Sequence, residues 1–177
     1  KLYKFKAVNN KVYVGYNLRF DPMLQYLKKI VKNFLFLTLN VNCKSYLPHW
    51  RKRDYKSSYS ASSNKGGGVH LDLSHEIDYV NWIFSDFKKK NVKKERISNL
   101  KINSSDYFSL MGNSAFVKLI NITLTYFSLR SERSIELIAN KKTIYLDLLK
   151  RTIKFYTNKE TKVIKFKKIS STERLSM

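Results

Sequence analysis

"NKGGGVHLDLSHEIDYVNWIF", residues 64–84, is the stretch on which the reading of this chain turns. Three of the protein's five glycines, Gly66, Gly67 and Gly68, stand together in it and lead into a segment with helical periodicity. At about 100° per residue, Val69, Leu73, Ile77, Val80 and Phe84 fall on one apolar stripe suited to packing on a sheet. Asp72, His75, Tyr79 and Trp82 fall on a second stripe beside it. Asp72 and His75 are close enough in such a helix for a carboxylate to meet an imidazole. That contact would raise the histidine's pKa and fix its ring, two requirements of a general acid/base near neutral pH. Glycine tolerates positive φ and lets a ligand approach the backbone. A helix start adds unpaired N–H groups and a partial positive charge. The spacing therefore predicts a ligand-facing helix start with an Asp–His pair one turn inside it. The plainer alternative is a loop followed by a structural Asp–His contact. Zinc is disfavoured, because His70 and His75 point in different directions and Cys43 is the single cysteine. There is no Gly-Lys-Ser/Thr of a P-loop and no G-x-S-x-G of a serine hydrolase.

Toward the N-terminus, "KVYVGYNLRF" (11–20) alternates and reads as a strand. Asp21 then offers an N-cap and Pro22 a first helical residue. Leu24, Leu27, Ile30 and Val31 line one face of the helix that follows. "FLFLTLNVN" (34–42) places Leu35, Leu37, Leu39 and Val41 on one side of a strand. Residues 43–65 have no period and are rich in aromatic groups, so a loop that folds over something is expected.

Toward the C-terminus, "FKKKNVKKER" (87–96) reads as a basic connector and "LKINSSDYFSLMG" (100–112) as a strand followed by a turn or short helix. A strand series then runs through 115–129, 134–139, 142–148, 151–157 and 161–167, with Ile120, Ile122, Leu124 and Tyr126 sharing a face. Short connections imply antiparallel neighbours. The fold class is α+β: an open, mainly antiparallel β-sheet with helices packed on one face.

The 177 residues suffice for one domain with a proper core, and a hydrophobic content of 43% excludes a disordered chain. A single cysteine excludes an internal disulfide. With no apolar run long enough for a bilayer span and no signal-like segment, the expectation is a cytoplasmic, soluble protein. Thirty-five basic against 13 acidic residues give a formal charge of +22, which should attract polyanions. Many of the lysines alternate with apolar residues, as on the wet face of a sheet, so solvated surface is the first reading of the charge.

Residues 66–84 resemble the C-terminal-domain signature of the Gfo/Idh/MocA family of NAD(P)-dependent oxidoreductases, which act mostly on sugars and related polyols. "VGYNLRFDPMLQYLKKIV" (14–31) resembles the end of that family's Rossmann cofactor domain and the helix after it. "YLPHWRKRDYKSSYSASSNKGGG" (46–68) looks like the approach to the glycine run in members that handle bacterial surface-sugar precursors, for polysaccharide biosynthesis. "SSDYFSLM" (104–111) and "TYFSLRSERSIELIANKKTIYLDL" (125–148) resemble later sheet strands. The resemblance implies that His75 takes a hydroxyl proton as hydride leaves, with Asp72 as its partner. It implies that Arg19, Tyr46, Trp50, Tyr55 and Lys65 border the substrate pocket and that Tyr16 and Asn17 approach the nicotinamide. The substrate would be a sugar or nucleotide-sugar, and no metal is implied. The sheet face would mediate a homo-oligomer, or the chain would pair with a separate cofactor-domain chain.

Many family members separate the aspartate and histidine by four positions rather than three. No G-x-G-x-x-G and no Glu-Lys-Pro occurs in the sequence. The expectation is therefore a remnant of the nucleotide-binding domain over 1–20, a substrate-binding and oligomerisation domain over 21–170, and a disordered tail over 171–177. Such a chain would be a fragment or the product of an interrupted gene. NAD or NADP would belong to the complete enzyme, and this chain alone would bind neither tightly and turn over nothing measurable. The alternatives are a non-catalytic dimerisation remnant that pairs with an intact paralogue, or a basic nucleic-acid-binding protein.

Overall fold

The computed structural model describes residues 14–32 and 34–170. Residues 11–13 of the expected first strand and the expected tail over 171–177 lie outside them. Residues Asn17–Phe20 are a short 3-10 helix rather than a strand end. The backbone there bonds locally, Asn17 N to Gly15 O at 3.0 Å and Arg19 N to Tyr16 O at 3.1 Å, which satisfies its polar groups without a neighbouring strand.

Helix α1 (Pro22–Val31) forms as its sequence predicts. The Asp21 side chain accepts from Met23 N at 3.0 Å and caps the first turn, while Pro22 fills a position that needs no donor. Met23, Leu24, Leu27 and Val31 are buried, each contributing roughly 1.5–3 kcal/mol of burial. A second constraint comes from across the molecule: Arg151 Nη1 donates to both carboxylate oxygens of Asp21, at 2.9 and 2.7 Å.

Among the described residues eight strands follow: β1 (Phe36–Tyr46), β2 (Lys88–Glu95), β3 (Tyr107–Asn113), β4 (Val117–Thr125), β5 (Phe127–Ala139), β6 (Lys142–Asp147), β7 (Thr152–Thr157) and β8 (Thr161–Lys165). They make one open mixed sheet in the order β2-β3-β4-β1-β5-β6-β7-β8. Every neighbouring pair is antiparallel except β1 with β4. Period-two alternation lays one residue type in each row. Val92, Leu110, Ile122, Val41, Ile135, Leu146, Ile153 and Ile164 are successive register partners across all eight strands, and those from Leu110 to Ile153 are buried on the face the helices cover. The next row, on the other face, runs Met111, Asn121, Asn40, Glu136, Tyr145, Lys154 and Val163. Asn121 donates to Asn40 at 3.0 Å and Asn40 to Glu136 at 3.3 Å. This row, away from the helices, is thus largely polar and its central side chains bond to one another.

Four other expectations give way. Leu35 precedes β1 and is 72% exposed, so the covered face of that strand is Leu39, Val41 and Cys43. The basic connector is an edge strand, β2, whose residues are all exposed; lacking a covered face it shows no alternation, and its lysines discourage further edge pairing. Residues 100–106 are irregular and the strand comes after them. The run 115–129 is two strands separated by Tyr126 alone, and these do not pair with each other. They flank β1, and the chain crosses the end of β1, where Leu47 N donates to Tyr126 O at 2.8 Å.

Candidate active site

The segment after Gly68 is helical but broken. Helix α2 (Val69–Asp72) ends at Leu73, with φ −106° and ψ 32°, and α3 (His75–Ile83) starts afresh. Val69, Leu73, Val80 and Phe84 are buried as the apolar stripe predicts, because each helix keeps its own period. The second stripe does not survive. Asp72 ends one helix and His75 begins the next, and Tyr79 is buried at 1% exposure.

The glycines serve the chain itself. Gly66 (φ 80°) and Gly68 (φ 139°) occupy positive φ, where other residues are strained. A Cβ on Gly67 would lie 2.2 Å from the Tyr59 carbonyl oxygen and 2.6 Å from that of Ser60. Backbone, rather than a ligand, fills the space that the missing side chain leaves. The helix-start amides are used as well: Val69 N donates to Ser105 O at 2.9 Å.

His75, half-buried at the head of α3, meets the ring of Tyr16 edge-to-face at 5.5 Å. Tyr16 is held by its neighbours. Arg19, three residues on, forms a two-pronged ion pair with Asp78 (Nε–Oδ2 2.8 Å, Nη2–Oδ1 2.5 Å), and its guanidinium lies 5.9 Å from the Tyr16 ring. Asp78 raises the pKa of Arg19, chiefly through the hydrogen bond. The 16–20 segment and α3 are thus tied at both ends of one patch. Asn17 opens the 3-10 turn within it, beside a shallow hollow of about 240 Å³ lined by residues 14–17, 19 and 20.

Asp72 is held from elsewhere. Its carboxylate accepts the hydroxyl of Tyr126, the residue at the β4–β5 crossing, and Trp50 stands edge-on to the Tyr126 ring at 5.2 Å. Burial pushes the Tyr126 phenol well above its ordinary pKa, and the Asp72 carboxylate pushes it further. Tyr46 pairs edge-to-face with His49 at 4.7 Å. Tyr55 accepts from Lys101 N at 3.2 Å, and Lys65 is exposed on a separate hollow against residues 96–103. Of the residues anticipated from the sequence, all but Tyr46, which pairs with His49, fall into three groups: Tyr16, Asn17 and Arg19 with His75; Trp50 with Asp72; Tyr55 and Lys65 near the 96–103 loop.

The sequence reading passed over three partners of these groups. Asp78 lay in the opening stretch itself, three residues after His75. Tyr126 was read only as a core residue. Glu76 is fully buried and accepts from Arg133 Nε on β5 at 2.6 Å, pinning α3 to the sheet next to His75. Burial works against the charge on Arg133, but Glu76 more than restores it, so its pKa lies above the ordinary value. Burial first, and Glu76 next, push the nearby Cys43 thiol up to about 12. His70 turns away, stacked on Phe108 at 5.6 Å with its Nδ1 3.3 Å from Ser105 Oγ. Among the described residues no three His, Cys, Asp or Glu side chains group as metal ligands, and no helix is long and apolar enough to cross a membrane.

Among solved structures the chain is similar to UDP-N-acetylglucosamine 3-dehydrogenase GnnA from Acidithiobacillus ferrooxidans (TM-score 0.68, 12% identity, 96% of this chain and 51% of that one). It is also similar to an inositol dehydrogenase homolog from Azotobacter vinelandii complexed with NADH and myo-inositol (TM-score 0.69, 12% identity, 91% and 44%). The fold is that of the C-terminal α+β domain of Gfo/Idh/MocA enzymes. A third similar structure is a super-repressor mutant of Gal80p from Saccharomyces cerevisiae (TM-score 0.75, 12% identity, 96% and 50%). The chain spans about half the length of each. No family model and no curated protein matches its sequence.

Proposed function

We propose that this chain is the substrate-binding, catalytic-histidine part of an NAD(P)-dependent oxidoreductase of the Gfo/Idh/MocA type that acts on a sugar or nucleotide-sugar. The supporting observation is the setting of His75: half-buried at a helix head, against Tyr16, on a patch that the Arg19–Asp78 pair holds together. Tyr16 and Asn17, beside their shallow hollow, fit the flat ring end of a nicotinamide. The phosphates of the dinucleotide do not fit, since the chain contains no G-x-G-x-x-G turn and Arg19 is engaged by Asp78. Those contacts must come from a nucleotide-binding half. When bound, the nicotinamide supplies the acceptor for hydride.

This chain's own part is proton transfer and orientation. A ring nitrogen of His75 takes the proton of the substrate hydroxyl as that carbon becomes a carbonyl. Asp72, fixed by Tyr126, places a negative charge across the helix break from the imidazole that becomes cationic. The open sheet face is the surface for a homo-oligomer.

The test is to combine the chain with a nucleotide-binding half and follow NADH or NADPH formation with a panel of sugars and nucleotide-sugars. His75→Ala should cost about 10²–10⁴-fold in kcat, the usual contribution of a positioned base, while sugar binding persists. Turnover unchanged by His75→Ala, or no binding of any panel member, overturns the proposal. A second reading is a non-catalytic partner that pairs with an intact paralogue, and one similar structure is named as a super-repressor mutant rather than as a dehydrogenase. Co-purification of such a paralogue, with no turnover in the combined assay, would mark that outcome.

A further inference from the structure

A second concave site lies away from His75. A hollow of about 680 Å³ opens between the 56–65 segment and the 96–103 loop. Among the described residues its lining includes Lys56, Lys65, Arg96 and Lys101, and no carboxylate. The two walls are fastened to each other: Ser63 N donates to Asn103 Oδ1 at 2.8 Å, Asn103 N to the Ala61 carbonyl at 3.0 Å, and Lys101 N to Tyr55 Oη at 3.2 Å. Behind them, Ser104 Oγ donates to the buried carbonyl of Ser60 at 2.6 Å, and Gly67 packs on the backbone of residues 59–62. The cations therefore project from backbone that is already ordered, which lowers the entropy lost on binding.

Of two carboxylates nearby, Asp106 is engaged elsewhere and Asp54 is a weak partner of Lys56. Asp106 is buried and accepts from Ile97 N, Ser98 N and Ser98 Oγ. Asp54 reaches Lys56 only at 4.0 Å between exposed groups, a weak restraint. Arg96 donates Nη1 to the Ile102 carbonyl at 2.9 Å, which aims the guanidinium and leaves its other donors for a ligand. Four cations converge on one concavity in place of the mixed charge of an ordinary surface.

We infer that this hollow binds a diphosphate group, carried by a small molecule such as a nucleoside diphosphate or offered as free pyrophosphate. Four cations exceed what one phosphate needs and match the charge of a diphosphate, and the volume lies in the range of small-molecule sites. The inference goes beyond the redox reading and does not depend on it, because binding here requires nothing of His75.

Isothermal titration of the whole chain with pyrophosphate, uridine diphosphate and uridine tests it. The two diphosphates should bind and weaken as salt rises, while uridine should not bind. Equal affinity for the two diphosphates would assign recognition to the diphosphate itself, and tighter binding of uridine diphosphate would assign additional contacts to its nucleoside. Lys65→Ala with Lys101→Ala should weaken both about ten-fold or more, in keeping with the loss of two charge-assisted contacts. Lys162→Ala with Lys165→Ala, an equal charge loss on the exposed strand β8 at the far edge of the sheet, should leave both within two-fold of the parent, about what general screening permits. All four substituted side chains are exposed, so both variants should keep the parent's thermal midpoint. Equal weakening by the two double variants would reduce the effect to the overall charge of +22 and overturn the inference. So would binding of uridine as tight as that of uridine diphosphate, or tighter binding of a DNA oligonucleotide that both double variants weaken alike.

Discussion

Replacing Asp21 should be among the costlier single changes in this molecule, and its two losses are separable. The side chain caps α1 through Met23 N and also holds Arg151 with two bonds from one guanidinium nitrogen. Both side chains are nearly inaccessible, at 1% and 7%. Removing the cap alone costs about 0.5–2 kcal/mol. Leaving a buried guanidinium without its partner costs about 3–5 kcal/mol. Asp21→Ala should therefore lose roughly 4–6 kcal/mol, a large share of the 5–15 kcal/mol typical of a domain. At about 2–4 °C per kcal/mol for a chain of this size, the thermal midpoint should fall by roughly 10–20 °C. Asp21→Asn keeps a capping oxygen and should be the milder variant by about 1 kcal/mol. Combining Asp21→Ala with Arg151→Met, which removes the stranded charge, should recover about 2 kcal/mol of the loss, as replaced ion pairs generally do. Urea denaturation of all four proteins measures these differences. An Asp21→Ala loss below about 1 kcal/mol, or a double variant no more stable than Asp21→Ala, would refute the argument that the pair is held in a dry interior.

The remaining predictions concern the glycine turn, the buried thiol and the tyrosine at the crossing. Gly67→Ala, whose Cβ would lie 2.2 Å from a backbone oxygen, should cost about 2–3 kcal/mol or more by overpacking. Gly66→Ala has open space but φ 80° and should cost only about 1 kcal/mol; equal losses in urea denaturation would contradict the close approach. Cys43, with its pKa raised from 9.0 to about 12, should resist iodoacetamide in the native protein and react once unfolded. The unfolded thiol ionises first, so Cys43's contribution to stability is fully present below about pH 9 and is lost as pH rises toward about 12; a pH series of urea midpoints on the parent and Cys43→Ala reads it. Tyr126→Phe takes the hydroxyl from the Asp72 carboxylate and should cost about 1.5–3 kcal/mol, with the midpoint shift read by thermal melting.

Elements whose signals are local were legible in the sequence. Asp21, Pro22 and the spacing of Leu24, Leu27 and Val31 specify α1 within about three turns of chain. The β6–β7–β8 meander follows from alternation and short polar turns. Strand β2 hid because an edge strand wet on every residue has no period to read. The split at Tyr126 hid because β1, about 80 residues earlier, inserts between β4 and β5; register of that kind is decided by the whole sheet. The break between Asp72 and His75 has no proline or glycine to announce it, and the surviving apolar stripe on each half masked it. At the site, His75 and Asp72 could be named from residue chemistry, whereas Tyr126, which reaches Asp72, and Arg133, which reaches Glu76 beside His75, come from the far side of the fold and leave no mark at helical spacing.

That last difference bears on what the fold can decide. Structures named as dehydrogenases and one named as a super-repressor mutant share this architecture at similar TM-scores, so the sheet and its helices do not by themselves assign a role. The discrimination lies in the few side chains around the α2–α3 break. A fold maintained only for pairing needs α3 anchored, and Glu76–Arg133 already does that from the buried side. It has no need of a second, half-exposed pair on the other side of the helix. Arg19–Asp78 is such a pair, two-pronged and with side chains 40% and 7% exposed, and it ties the 16–20 segment to α3. Its effect is geometric, since it sets the 16–20 segment, and with it the Tyr16 ring, against His75. What sets this pair apart from Glu76–Arg133 is its place beside His75, and the proton transfer proposed above is what would give those surroundings a use.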